Sequence, residues 1–359
     1  MKKIGSIILL LVCSSLILSA FSACNKILDT QKKEYDTRTK TISYSNFNTV
    51  TVLSSYGDTS AAEFDNYVKI CEEMLEYYHR LFDIYYEYEG VSNLMTVNKN
   101  AGIAPVSVQK ELIDFLAYCK QLYTVTGGKT NVMFGSVLSI WHEKRELADA
   151  GAGYLDESLL PSKQELQEAA AHTSIDLLEI DEKAGTVYIS DPAASIDVGA
   201  IAKGYAASKI ADALKEHGAD SVALNAGGNI VTIGLKPNDE LWKTGITNPD
   251  KTAFDSFACR VEMGETSLVT SGSYERYFVS GENKYHHIID PVTCMPANYF
   301  ASVSIFTSNG ALADALSTAL FCMSYEEGLA LVDNIGNVDV IWIYEDGTIK
   351  HTDGVRMVN

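Results

Sequence analysis

Three features of the sequence predict an α+β fold, with mixed sheets and packed helices in two interleaved lobes. The N-terminal third carries long stretches of helical periodicity. The segment from 258 to 307 breaks into several short strand-like runs. Strands and helices are intermixed without regular βαβ repetition, which argues against a doubly wound sheet. The size agrees: of 359 residues, 47% are hydrophobic, enough to bury one large domain or two closely packed lobes. There is no internal repeat, no GxGxxG fingerprint and no P-loop pattern, so the standard nucleotide-binding readings have no support.

The chain begins with an address. Lys2 and Lys3 precede an apolar run from Ile7 to Leu18, and Phe21-Ser22-Ala23 leads into Cys24. The run suits a signal sequence better than a spanning helix. Small residues before a cysteine resemble the bacterial lipobox, although Phe21 stands where leucine is usual. Residues 1–23 are therefore expected to be a lipoprotein signal, and Cys24 the acylated (palmitate-bearing) N-terminus. Its acyl chains would anchor the protein on the extracytoplasmic face of the cell membrane. Residues 24–41 are polar and charged and are expected to be a tether. The folded domain is expected over 42–359.

Within it, Phe64, Val68, Cys71, Leu75, Tyr78, Phe82 and Tyr85 recur every three or four positions, predicting one long helix from Ala61 to Tyr88. Ser107 is the expected cap of a second helix, with Leu112, Phe115, Cys119 and Leu122 inward. Ser162 and Glu165 make a capping box for a third. Leu177–Ile180 and Thr186–Ser190 read as a hairpin. A helix from about Ala202 to His217 stops at Gly218. The strand from Ser221 to Leu224 enters Asn225-Ala226-Gly227-Gly228, and another strand follows. Helices near 311–323 and 326–333 and a hairpin turning at Glu345-Asp346-Gly347 close the chain.

The formal charge is -19, and near -21 without Lys2 and Lys3, which opposes nucleic acid as a partner. Seven cysteines form no CxxC. Their irregular spacing argues against a disulfide framework or a zinc site, and most are expected to be small buried hydrophobes.

The most informative stretch is Ser195-Ile196-Asp197-Val198-Gly199-Ala200-Ile201-Ala202-Lys203-Gly204-Tyr205-Ala206. It is a small-residue turn opening a helix, whose free amides can meet an anion, with Asp197 and Lys203 beside it. In Asp314-Ala315-Leu316-Ser317-Thr318, Asp314 and Thr318 share a helix face, and a carboxylate with a hydroxyl suits Mg²⁺ rather than zinc. The bland alternatives are a helix-bonded threonine and a solvated aspartate. Tyr285-His286-His287-Ile288-Ile289-Asp290-Pro291-Val292-Thr293 reads as a strand meeting a turn. Its adjacent histidines point to opposite faces, so one can face a cleft as a general base. Asn225-Ala226-Gly227-Gly228-Asn229 and Thr270-Ser271-Gly272-Ser273-Tyr274-Glu275-Arg276 place glycines and polar side chains after strands.

Taken in order, these five motifs resemble the FAD:protein FMN transferase (ApbE) family from about residue 45 to the C-terminus. Phe47-Asn48-Thr49, Tyr78 to Asp83, Asn93-Leu94 with Val97-Asn98, and Ser136 to His142 agree. The resemblance implies a central FAD cleft and cleavage of FAD at its pyrophosphate. FMN would pass to a threonine or serine of an acceptor flavoprotein, and AMP would leave. It implies Mg²⁺ on the Ala200 carbonyl, Asp314 and Thr318. It implies FAD contacts at Thr49, Lys129, Thr130, Asn131, Asp197, Lys203 and the Ile288 backbone, and His287 as base. Asn131 stands where the family has aspartate, Cys294 where it has glycine, and Asn48 where many members have glycine or aspartate. Rival readings are an FAD pyrophosphatase, a non-catalytic flavin-binding lipoprotein and a solute-binding lipoprotein of a transporter.

Overall fold

The computed structural model of the protein describes residues 36–358. Contacts divide the chain into Met1–Thr37 and Arg38–Asn359, and the elements below, apart from Thr37 at the start of the first strand, belong to the second unit. The signal sequence, Cys24 and most of the expected tether lie outside the described residues. Thr37–Ser43 is a strand, so the end of the expected tether is extended backbone in a sheet.

Eight strands form the principal sheet: Thr37–Ser43, Thr51–Tyr56, Val222–Ala226, Asn229–Ile233, Ser267–Gly272, Ser302–Thr307, Asp339–Ile343 and Ile349–His351. They lie side by side in chain order. Each registered pair is antiparallel. An antiparallel pair can be joined by a tight turn, as between Val222–Ala226 and Asn229–Ile233.

The α+β class holds, and the interleaving has a specific form. Thr51–Tyr56 and Val222–Ala226 are neighbours in the sheet, yet the chain between them carries α1 (Ala61–Phe82), α2 (Leu94–Lys99), α3 (Lys110–Val125), α4 (Gly135–Ala150), α5 (Lys163–Ala170) and α6 (Ala202–Glu216). Two further helices follow, α7 (Gly310–Phe321) and α8 (Tyr325–Ile335). Among the described residues no helix is long and apolar enough to cross a membrane.

Helix α1 stops at Phe82, short of the expected Tyr88. Asp83 ends it: its carboxylate accepts from the Tyr85 and Tyr86 amides and the Tyr88 hydroxyl, a local turn that competes with the helix. Ser107 does not cap α3. It pairs with Thr186 in a short strand, and the helix begins after Gln109 without a side-chain cap. The capping box of Ser162 and Glu165 is present on α5, and the hairpin pairs Leu178–Asp181 with Thr186–Ile189. Among the described cysteines, Cys71, Cys119, Cys294 and Cys322 are buried and free, and Cys259 is free and half-buried.

Helix α7 sets the site. Ten of its 12 residues are buried, so it is a core helix whose polar side chains need partners. It packs against α6 at Gly204. A Cβ there would lie 2.1 Å from the Gly310 carbonyl oxygen and 2.7 Å from the Asp314 Cβ. Gly204→Ala should therefore cost about 1–3 kcal/mol by overpacking, read as a lower urea midpoint. An unchanged midpoint would mean that the two helices separate freely.

Candidate active site

Asp314 is 4% exposed. Its carboxylate accepts from the Gly204 amide at 2.8 Å. Burial raises its pKa, while the Lys203 charge, the Gly204 amide and the nearby Asn229 side chain oppose the rise. Asn229 is itself buried, and its amide nitrogen has no partner in hydrogen-bond geometry. It comes from the hairpin whose turn holds Gly227 at φ +60°, with Thr49 packed where a Cβ would stand.

Gly204 turns its amide to Asp314, and among the described residues no hydrogen bond reaches the Ala200 carbonyl, four residues earlier. Thr318 is half-buried, and its hydroxyl likewise makes no hydrogen bond among the described residues. The hydroxyl that bonds back to the helix is that of Ser317, which donates to the Asp314 carbonyl and meets Ser271 at 2.8 Å. The helix-bonded alternative weighed for Thr318 thus falls to its neighbour. A carboxylate, a carbonyl and a hydroxyl, all oxygens, are available to a hard cation. Among the described residues no group of three or more His, Cys, Asp or Glu could hold a metal.

The turn before α6 is held from two sides. Asn98 donates to the Ile196 carbonyl and accepts from its amide, and the Asp197 amide donates to Val132. The Asp197 carboxylate accepts from the Gly199 amide at 2.8 Å and faces His142 Nε2 at 3.9 Å. His142 Nδ1 lies 3.2 Å from the Tyr85 hydroxyl. Burial lowers the His142 pKa against the pull of Asp197.

The Lys129–Asn131 loop is committed mainly to holding the site together. Lys129 pairs with Asp290 at 3.0 Å. The Thr130 hydroxyl donates to the Ala315 carbonyl of α7 at 2.6 Å. Asn131 donates to the Thr173 carbonyl and accepts from the Met133 amide.

His286 ends one short strand, Asn283–His286, and Ile289–Asp290 forms the next. His287 lies between them. His286 is buried: Nε2 sits 2.6 Å from the Ala297 carbonyl, and Nδ1 accepts from the Ile288 amide. The Ile288 carbonyl accepts from Ala297, so both backbone groups of Ile288 have protein partners. His287 is half-buried, its amide donating to the Arg276 carbonyl at 3.1 Å and its Nδ1 lying 3.3 Å from the same oxygen. Both histidines line one small cavity with Leu138, Trp141, His142, Arg145, Phe278 and Tyr285, where only one was expected to reach a cleft. Burial first, then Arg276, His286, Lys203 and Arg145, push the His287 pKa down to about 3.

Lys203 acts by charge on both Asp314 and His287, and Asp197 meets His142, which lines the cavity with His287; Thr318 lies one turn from Asp314 on α7, and Ala200 one turn before Gly204. Tyr85, His142, Arg145, Arg276 and Asn229 join them without having been singled out. Leu138, Trp141, His142 and Arg145 on one helical face carried the nearest sequence signal, a mixed apolar and basic stripe.

Comparison with known proteins bears on the family and the fold. The model of the ApbE family matches residues 44–342. A Treponema pallidum protein named FAD:protein FMN transferase is 35% identical over 280 residues, covering 74% of each chain. One of the same name from Klebsiella pneumoniae is 27% identical over 278 residues, 75% of this chain and 83% of its own. Among solved structures, the ApbE protein of Thermotoga maritima superposes with a TM-score of 0.75 at 24% identity, covering 89% of this chain and 97% of that one. The flavin transferase ApbE of Vibrio cholerae gives 0.71 at 24% identity over the same shares. The structural matches establish the fold.

Proposed function

The chain belongs to the ApbE family, and we propose that it is an FAD:protein FMN transferase. In this reading it cleaves FAD at the pyrophosphate and attaches FMN by a phosphoester to a threonine or serine of a partner flavoprotein, releasing AMP. The observation that carries the reading is the buried Asp314 carboxylate, one helical turn from the Thr318 hydroxyl and bonded to Gly204, itself one turn after Ala200; among the described residues neither the Ala200 carbonyl nor the Thr318 hydroxyl has a hydrogen-bond partner. These three would hold Mg²⁺, with substrate phosphates completing its shell. The bound ion would neutralise charge on the pyrophosphate and stabilise the departing AMP phosphate.

The protein's own groups supply position and proton transfer. Lys203 adds positive charge beside Asp314, and the start of α6 offers amides to an anion. His287 takes the proton of the attacking hydroxyl. The test is incubation with FAD, Mg²⁺ and a flavin-carrier protein, followed by mass spectrometry of the carrier. Covalent gain of FMN, with AMP in solution, supports the transferase. Free FMN and AMP with an unmodified carrier would make it an FAD pyrophosphatase, and FAD bound but intact a flavin-binding lipoprotein.

The same reading places the protein on the extracytoplasmic face of the membrane, anchored through lipid on Cys24. Support comes from Lys2, Lys3, the apolar run and the small residues before Cys24. Cys24→Ser should move the protein from the membrane pellet to the soluble fraction. A variant that still sediments with membranes would remove the lipid anchor from the proposal.

A further inference from the structure

His286 and His287 line one small cavity, and their hydrogen bonds give them opposite tautomers. A neutral imidazole carries one N–H, and the bond made by one ring nitrogen fixes what the other does. His286 Nδ1 accepts from the Ile288 amide, so its proton sits on Nε2 and is donated to the Ala297 carbonyl at 2.6 Å. Both of its nitrogens are consumed. His287 is built the other way. Its Nδ1 lies 3.3 Å from the Arg276 carbonyl oxygen, which can only accept, so the proton sits on Nδ1. Its Nε2 makes no hydrogen bond among the described residues, and the ring is half-buried.

The carbonyl that orients the ring belongs to the hairpin itself. Tyr277–Ser280 pairs with Asn283–His286, with Tyr277 opposite His286. The His287 amide donates to the Arg276 carbonyl at 3.1 Å and extends that ladder by one pair. One oxygen thus accepts both the amide and the ring N–H of the same residue, using its two lone pairs. The ring is fixed relative to its own backbone, whatever the conformation of the exposed Arg276 side chain. Among the described residues no carboxylate takes this place. Asp290 is bonded to Lys129, and Asp197 to the Gly199 amide beside His142. A neutral oxygen sets the tautomer without the negative charge that would raise the basicity of the ring. That agrees with a His287 pKa pushed down to about 3 by burial and neighbouring cations.

We propose that the Arg276 carbonyl is the positioning group of the base, holding His287 as the Nδ1–H tautomer so that Nε2 is the nitrogen that deprotonates the acceptor hydroxyl. The inference rests on the transferase reading and names the atom at which its proton moves. The acceptor oxygen bonds to the FMN phosphorus as the bond from that phosphorus to the bridging oxygen breaks. The electron pair leaves on AMP, and the hydroxyl proton goes to Nε2. The imidazolium keeps its Nδ1–H on the Arg276 carbonyl, so the step needs neither a ring flip nor a tautomer exchange. A carboxylate does this work in a Ser-His-Asp triad, and here a main-chain oxygen stands in its place.

The first test is a long-range proton–nitrogen correlation spectrum of protein carrying ¹⁵N in its histidine rings, near neutral pH, with the His287 signals assigned by their loss in His287→Asn. His287 should show a bonded proton on Nδ1 and none on Nε2, and His286 the reverse. A proton on Nε2 of His287, or signals averaged over both tautomers, would overturn the proposal. The second test places a histidine methylated at one ring nitrogen at position 287 and measures FMN transfer at saturating FAD. Methylation at Nε2 keeps the bond to Arg276 and removes the base, and should cost about 10²–10⁴-fold in kcat. Methylation at Nδ1 keeps the lone pair on Nε2 and loses the orienting bond, and should cost roughly 10-fold. Equal losses, or the larger loss at Nδ1, would also overturn the proposal. Wild type that shows the Nδ1–H tautomer yet transfers no FMN would overturn the transferase reading and leave the tautomer standing.

Discussion

Asp314→Ala should lower FMN transfer by about 100-fold or more at saturating FAD, without unfolding the protein. The carboxylate is the one charged oxygen of the proposed cation site, and a metal-held phosphoryl transfer depends on that charge for neutralisation. The change also strands the Gly204 amide, which loses its 2.8 Å acceptor inside the α6–α7 contact. That contributes a stability loss of about 1–3 kcal/mol, so the variant's melting curve must accompany its kinetics. Thr318→Ala provides the control. Its hydroxyl is neutral and unpaired among the described residues, and water can replace it. Its loss should be nearer 10-fold and should shrink as Mg²⁺ is raised. Asp314→Ala retaining full activity at low Mg²⁺ would sink the metal assignment. Equal, magnesium-independent losses in both variants would point to packing instead.

The parts of this molecule legible in the sequence are those whose causes are local. The Ser162 capping box, the hairpin around Asp181 to Gly185 and the start of α6 all appear where short-range chemistry puts them. The failures have long-range causes. Ser107 offers a cap, but pairing with Thr186 takes it. Tyr85 keeps the helical period, but Asp83 ends the helix three residues after Arg80, and Tyr85 is freed to meet His142. The site divides the same way. Asp314 and Thr318 were legible as an i, i+4 pair, and the glycine-rich turn as a helix start. The Ala200 carbonyl, unpaired among the described residues, was not, because it depends on Gly204 turning its amide to a carboxylate 110 residues away. Lys129 and Asp290 are 161 residues apart, and only the fold makes them partners.

His287→Asn should suppress transfer by about 10²–10⁴-fold, the usual contribution of a general base, while FAD affinity stays close to wild type. A base acts in the transition state, so kcat falls and binding does not. His286→Asn should fail differently. His286 bridges the Ala297 carbonyl and the Ile288 amide in a buried position, so its loss should lower the melting temperature first and activity only through folding. The pH profile gives a separate check with a definite sign. In the free protein His287 has its pKa pushed down to about 3 by burial and then by Arg276, His286, Lys203 and Arg145, so it is already unprotonated at pH 5. Its acid limb in kcat/KM therefore lies well below the ordinary 6.5. The anionic pyrophosphate offsets those cations when bound, so the limb in kcat, which reports the complex, should lie higher than the limb in kcat/KM. A kcat/KM limb at 6.5 that vanishes in His287→Asn would contradict the depressed pKa. Loss of FAD binding in His287→Asn would make the residue a binding group and end its assignment as base.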